Sequence, residues 1–198
     1  MKQITINGYE FDELSDNAKD NVRNWFAEGL WDNYWSEYII DEFIEDMSEY
    51  GIDIETDSVT WDIYNGAGFN VSLGTSDIIK YLKAHKITKK YWALYCNLIG
   101  DKVDTGYTIK SSRHFTMSGE MDRLRLYSDH LLDNDELTNK LEDQAKELGC
   151  DILDYCQDRA SDLQYALRDA YEYELSDEAI KEASEANDWL FTENGKII

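Results

Sequence analysis

The sequence contains no proline. Proline usually makes up roughly 5% of a chain, so every turn here is built from Gly, Asn, Asp and Ser. Cysteine is scarce too: Cys96, Cys150 and Cys156 form an odd, unevenly spaced set. That argues against a disulfide framework and points to a reducing cytoplasm. No apolar run reaches the ~18 residues of a membrane span. The opening MKQITINGYEFDELSD has no signal-peptide core.

The largest absence is of positive charge. Between Arg23 and Lys80, 56 consecutive positions hold thirteen acidic residues and no basic one. Within them, DEFIEDMSEYGIDIETD (Asp41 to Asp57) packs eight carboxylates into seventeen residues. Over the whole chain 42 acids oppose 19 bases, for a formal charge of −23. A small soluble domain needs a magnitude of only roughly 2–8, and the excess repels itself in a compact state. Direct binding to DNA, RNA or an anionic membrane is disfavoured, because each is itself negative. Basic partners are favoured, with affinity that falls as salt rises.

Signatures of chemistry are missing as well. His85, His114 and His130 stand in no HxxxH, HExxH or Cys–His spacing, so zinc has no ligand set. There is no G-x-S-x-G elbow and no glycine-rich phosphate loop before a helix. Carboxylate pairs are too abundant for any one pair to stand out. No enzymatic role, catalytic residue, cofactor or metal is therefore expected. From Asp46 the chain echoes a calcium loop, with Asp46, Ser48, Gly51 and Asp57 at positions one, three, six and twelve. Tyr50 and Asp53 then occupy the wrong positions, and Asp57 replaces the longer glutamate. A helix end capped by Gly51 and followed by a strand is the better reading.

What is present predicts a folded chain. Hydrophobic residues make up 42% and aromatics 13%, more than a disordered acidic chain carries. Ile4 and Ile6 alternate as a short strand. Ser15, with Leu14 before it and Asp16 after it, is set to cap a helix bearing Val22, Trp25, Phe26 and Leu30. A second helix is predicted from about Asp32 to Tyr50, with Trp35, Ile39, Ile40, Phe43, Ile44 and Met47 on its apolar side. Alternation at Ile52, Ile54, Val59, Trp61 and Ile63, a turn at YNGAG, then Phe69, Val71 and Leu73 predict an antiparallel unit. Short helices follow at about Ser76–His85 and Lys89–Leu98, then a strand pair from YTIK and HFTMS. A long helical stretch runs from about Asp133 to Tyr173, with Gly149 as its expected break or bend. ELSD recurs at Glu174–Asp177, Ser176 caps a last helix, and WLFTENGKII forms a hairpin at Asn194-Gly195. The two ELSD copies share a capping solution and do not mark a repeat. The fold class is α+β: helices on a small antiparallel sheet, in a single domain over 1–198, with subdivisions, if any, near 75 and 130.

Several phrases together resemble a group of small acidic proteins encoded by tailed bacteriophages. They are YEFDELSDNAKDNVRNWF, WDIYNGAGFNVSL, RHFTMSGEM and EAIKEASEANDWLFTENGKII. The resemblance implies work inside the cytoplasm of an infected bacterium. By analogy it implies inhibition of host machinery that handles nucleic acid, of the restriction or CRISPR type. It supplies no catalytic residue.

The residues expected to bind a partner are Glu37, Asp41, Glu42, Glu45, Asp46, Glu49, Asp53, Glu55 and Asp57. In the second helix Glu37, Asp41, Glu45 and Glu49 recur every four residues, and Glu42 and Asp46 repeat that spacing. Each such pair costs roughly 0.2–0.5 kcal/mol. Their rise of about 6 Å per step approaches the spacing of successive phosphates on one strand. A basic groove made for nucleic acid is the matching partner. Two rival readings stand beside it: an antitoxin-like or regulatory module gripping through exposed aromatics, and a metal-dependent enzyme.

Overall fold

The computed structural model describes residues 7–30, 35–127, 131 and 133–198. The strand expected at Ile4 and Ile6, the start of the second helix, Trp31, Tyr34 and His130 lie outside those residues. The fold is α+β. The chain divides into two compact units, Met1–Glu37 with Leu167–Ile198, and Tyr38–Ala166. The division thus falls near 37 and 167, whereas the sequence placed any subdivision near 75 and 130.

The first unit is built on α1 (Asp16–Gly29) and α6 (Asp177–Ala186). Both start as the two ELSD phrases require. The Ser15 hydroxyl accepts from the Ala18 N–H, and the Ser176 hydroxyl accepts from the Ala179 N–H. Phe11, Leu14, Ala18, Val22, Ile180 and Phe191 form the core. The terminal hairpin closes at Gly195, whose φ of +77° suits glycine. A Cβ there would stand 2.3 Å from the Ala18 carbonyl oxygen. Trp25, expected on the apolar stripe, is instead 47% exposed, with its ring edge-on to Phe26 and Trp189.

The second unit contains most of α2 (Trp35–Glu49), two small sheets, α3 (Thr75–Ala84), α4 (Trp92–Ile99) and most of α5 (Asp135–Glu174). β1 (Thr60–Asp62) and β2 (Gly66–Gly68) form an antiparallel pair. Its turn is held by Asp62, whose carboxylate accepts from the N–H groups of Tyr64 and Asn65 and from the Asn65 amide. β3 (Val71–Leu73) belongs elsewhere, in the sheet β3–β4–β5 with β4 (Val103–Ser111) and β5 (Met117–Leu126). This corrects the single β unit expected from the sequence. Asn70 separates the two sheets: its side-chain oxygen accepts from the Ser111 N–H and its carbonyl from Ser58. Ile52 and Ile54 are buried and Asp53 and Glu55 exposed, so the alternation holds, but no ladder forms there. β5 extends well past the expected HFTMS, which falls mainly in the turn, and His114 sits exposed there.

α5 runs 40 residues without stopping at Gly149. The glycine answers packing: a Cβ there would lie 2.7 Å from the Tyr107 ring. The Tyr107 hydroxyl donates to the Ala145 carbonyl one turn earlier, and burial raises its pKa to about 12. The helical spacing of the sequence puts Leu137, Leu141, Ala145, Leu148, Ile152, Cys156, Leu163, Leu167 and Ala170 on one stripe; all are buried except Leu137 and Ala170, which are half-buried. All three cysteines are free thiols: Cys156 buried, Cys96 half-buried and Cys150 exposed.

Candidate functional site

α2 positions the acidic row by burying its opposite side. Phe43 and Met47 face the core, and the Phe43 ring lies 5.6 Å from that of Phe69. At 3.6 residues per turn, Glu37, Asp41, Glu42, Glu45 and Glu49 fall within an arc of about 140°. All five are exposed, and none makes an ion pair or side-chain hydrogen bond among the described residues. Glu37 stands at the boundary of the two units; the others belong to the second.

A Schellman cap ends the helix. The Gly51 N–H donates to the Ser48 carbonyl at 2.9 Å and the Ile52 N–H to Met47 at 3.0 Å. Gly51 has φ +83°, and a Cβ on it would stand 2.8 Å from the Asp77 carbonyl and 2.9 Å from the Tyr81 nitrogen, both in α3. The Lys80 ammonium also donates to the Ser48 carbonyl, placing a cation at the negative helix end. Gly51 therefore terminates the helix, as the sequence predicted. Asp46, the first position of the supposed calcium loop, faces Arg159 instead. Among the described residues there is no group of three or more His, Cys, Asp or Glu able to hold a metal.

Asp46 is the exception in the row. Its carboxylate pairs with the Arg159 guanidinium, which also donates to Asp162 at 3.0 Å. The Arg159 Nε is buried without a hydrogen-bond partner. A sequence neighbourhood free of bases is thus supplied with one from α5, and Asp46 is occupied within the fold. Beyond the helix, the Asp53 carboxylate accepts from Ser48 at 2.6 Å. Asp53 and Glu55 line an open cleft of about 670 Å³, whose other walls include Asn70, Ser72, Thr108 and Lys110. Asp57 is exposed on the 3₁₀ turn Thr56–Ser58. Eight of the nine expected residues are therefore exposed, and Asp46 is half-buried.

Sequence reasoning did not single out Tyr38. It is 73% exposed and lies inside the acidic arc, three residues before Asp41 and four before Glu42. Its helical spacing from Asp41 and Glu42 is the signal that places it there. Arg159 has no local signal, being 113 positions from Asp46.

Two polar clusters elsewhere serve the fold. The Asp151 carboxylate accepts from the Tyr91 hydroxyl at 2.6 Å and from Lys90 at 2.7 Å. Burial pushes the Asp151 carboxyl up, but these two bonds outweigh it and hold it below the usual carboxylate value. Burial likewise pushes the Tyr91 hydroxyl up. The His85 ring packs against Tyr81, Tyr155 and Tyr50, with centroids 4.1, 4.5 and 5.0 Å away. Its Nε2 is buried without a partner, and burial depresses its pKa. The His85 side chain makes no hydrogen bond or ion pair among the described residues, and His114 stands exposed on its turn.

No helix among the described residues is long and apolar enough to cross a membrane. Comparison of the chain with protein-family models, with curated proteins and with solved structures finds no match.

Proposed function

We propose that this chain is an acidic binding protein that lays the exposed row of α2 on a basic, nucleic-acid-handling surface of another protein and blocks it. The observation that carries this reading is that Glu37, Asp41, Glu42, Glu45 and Glu49 face solvent together, with no cation of their own among the described residues. Like-charge neighbours four apart on a helix oppose its formation, and Glu45 and Glu49 lie toward the end where the helix dipole disfavours anions. A partner's lysines and arginines would relieve both penalties by neutralising the row as they neutralise phosphates, releasing the ions gathered around it. Asp53, Glu55 and Asp57 continue the negative surface past the helix end; Asp46 contributes through Arg159 rather than directly.

The resemblance to tailed-phage proteins supports an infected bacterium as the setting, with a restriction or CRISPR-type defence protein as target. Exposed Tyr38 also supports the reading based on aromatic anchors. It lies within the same arc, so both readings share one surface.

The test is capture of bacterial proteins on the immobilised chain at low salt, followed by competition. The expected result is a basic protein that salt elutes and duplex DNA displaces, and that Asp41→Lys with Glu45→Lys no longer captures. Capture indifferent to salt, to DNA and to the reversal would overturn the proposal.

A further inference from the structure

β5 is the outer strand of its sheet, and among the described residues no strand pairs with its far edge. Natural edges of this length are commonly guarded by charge and by bulges. β5 has both. Its register against β4 skips one residue, with Gly106 opposite Arg123 and Tyr107 opposite Met121, so Asp122 is the extra residue.

The bulge changes which side chains share a face. Thr108 donates to Asp122 at 2.6 Å, and Arg123 donates to Asp104 at 2.9 Å. Asp104 and Thr108 lie on the same face of β4, so the adjacent residues Asp122 and Arg123 both point to that face. Glu120, opposite Thr108, and Arg125, opposite Asp104, join them. The face toward α5 holds Met121, opposite Tyr107, and Leu124, opposite Thr105; both are half-buried. The outer face therefore reads Glu120, Asp122, Arg123, Arg125: acidic in one half and basic in the other.

A guard against self-pairing would use charges of one sign, because those repel a second copy. This arrangement attracts one. We infer that β5 pairs antiparallel with β5 of a second copy of this chain, about a twofold axis between Asp122 and Arg123. That register sets Glu120 opposite the second copy's Arg125, Asp122 opposite its Arg123, and Met121 opposite its Leu124, each pair occurring twice. In a regular strand such an axis would send Asp122 and Arg123 to opposite faces; the bulge removes that obstacle. The pairing also covers the edge of an apolar cavity of about 250 Å³ between β5 and α5, lined by Tyr107, Ile109, Met121, Gly149 and Leu153.

Charge along the chain agrees. From Ile78 to Tyr127 ten Lys and Arg accompany four Asp and Glu, a formal +6 within a chain of −23. β5 belongs to the long stretch in which carboxylates are the minority. Two strands of this length bury less than the ~1,200 Å² of a tight interface, so dissociation in the micromolar range is expected.

Sedimentation of the full chain at moderate salt tests the inference. A monomer–dimer equilibrium is expected over the micromolar range. Arg123→Glu with Arg125→Glu makes the outer face wholly acidic, and Glu120→Arg with Asp122→Arg makes it wholly basic. Each variant alone is expected to dimerise about tenfold more weakly or worse, while their mixture forms a heterodimer. A second readout does not depend on these charges. In a Cys150→Ser background, Met121→Cys chains mixed with Leu124→Cys chains should form a disulfide between the two kinds of chain far faster than either kind alone. A chain that stays monomeric throughout, or crosslinking equally fast in the unmixed samples, would overturn the inference.

Discussion

Two groups of acidic residues in this molecule behave differently. Asp177 opens α6, where the helix dipole favours an anion, and it pairs with Arg23 and, at 4.0 Å, with Lys19. Asp12 meets Lys181, whose hydrogen bond holds its carboxyl below the usual value. Asp151 sits between Lys90 and Tyr91. Each of these acids has a local cation, a favourable helix end, or both. In the row on α2 only Asp46 has a cation among the described residues and only Glu37 stands in the first turn; the members repel one another, and Glu45 and Glu49 stand near the unfavourable end. These three acids are placed to be neutralised within the fold; the exposed row of α2 is not, and that difference is what the proposed contact with a basic partner rests on.

Three changes of decreasing effect break or sharpen this contrast. The largest strikes the frame that presents the row. Gly51→Ala forces a left-handed φ on alanine and drives its Cβ against the α3 backbone. A loss of about 2–4 kcal/mol is expected, seen as a lower urea midpoint. The second concerns an acid that serves the fold. Asp151→Ala strands the Tyr91 hydroxyl and leaves the Lys90 ammonium with Glu147 alone, at 3.1 Å, and about 1–2 kcal/mol should be lost, since part of the site is open to water. Because the folded carboxyl titrates below its unfolded value, its stabilisation is full above about pH 4. It disappears as pH falls through the lower folded value. Wild type and variant should therefore converge in stability at strongly acidic pH, as thermal melts across that range would reveal. The third change has the opposite sign. Glu45→Lys with Glu49→Lys turns the like-charge contact of position 45 with Asp41 into an opposite-charge one and suits the helix end, and should stabilise the chain by about 0.5–1 kcal/mol. If this pair instead costs stability, the row serves the fold and the contrast fails.

The sequence made some of this legible and hid the rest for physical reasons. Caps are local, so Ser15, Ser176, Gly51 and the turn at Gly195 were readable from a few neighbours. The periodicity of α5 is equally local, and the middle of its expected stripe is buried, while Leu137 and Ala170 at its two ends are half-buried. Gly149 was misread because the reason for it lies in Tyr107, 42 positions earlier. β3 was assigned to the wrong partner because alternation states that a strand exists and not which strand it joins. The rear half of β5 escaped notice for a related cause: its bulge puts Asp122 and Arg123 on one face and spoils the two-residue period. For the candidate site, exposure of the acids followed from their helical spacing against Phe43 and Met47. Arg159 did not follow from anything near Asp46, since ion pairs across a fold leave no mark in a local pattern.

Cys156 lies fully buried in the middle of α5, and burial lifts its thiol to about 12. Cys150 on the same helix is open to solvent. A thiol reagent will therefore label Cys150 at once and Cys156 only when the helix lifts from its bed. The delay between them is a clock, wound by the fold itself, that counts how seldom the centre of α5 opens.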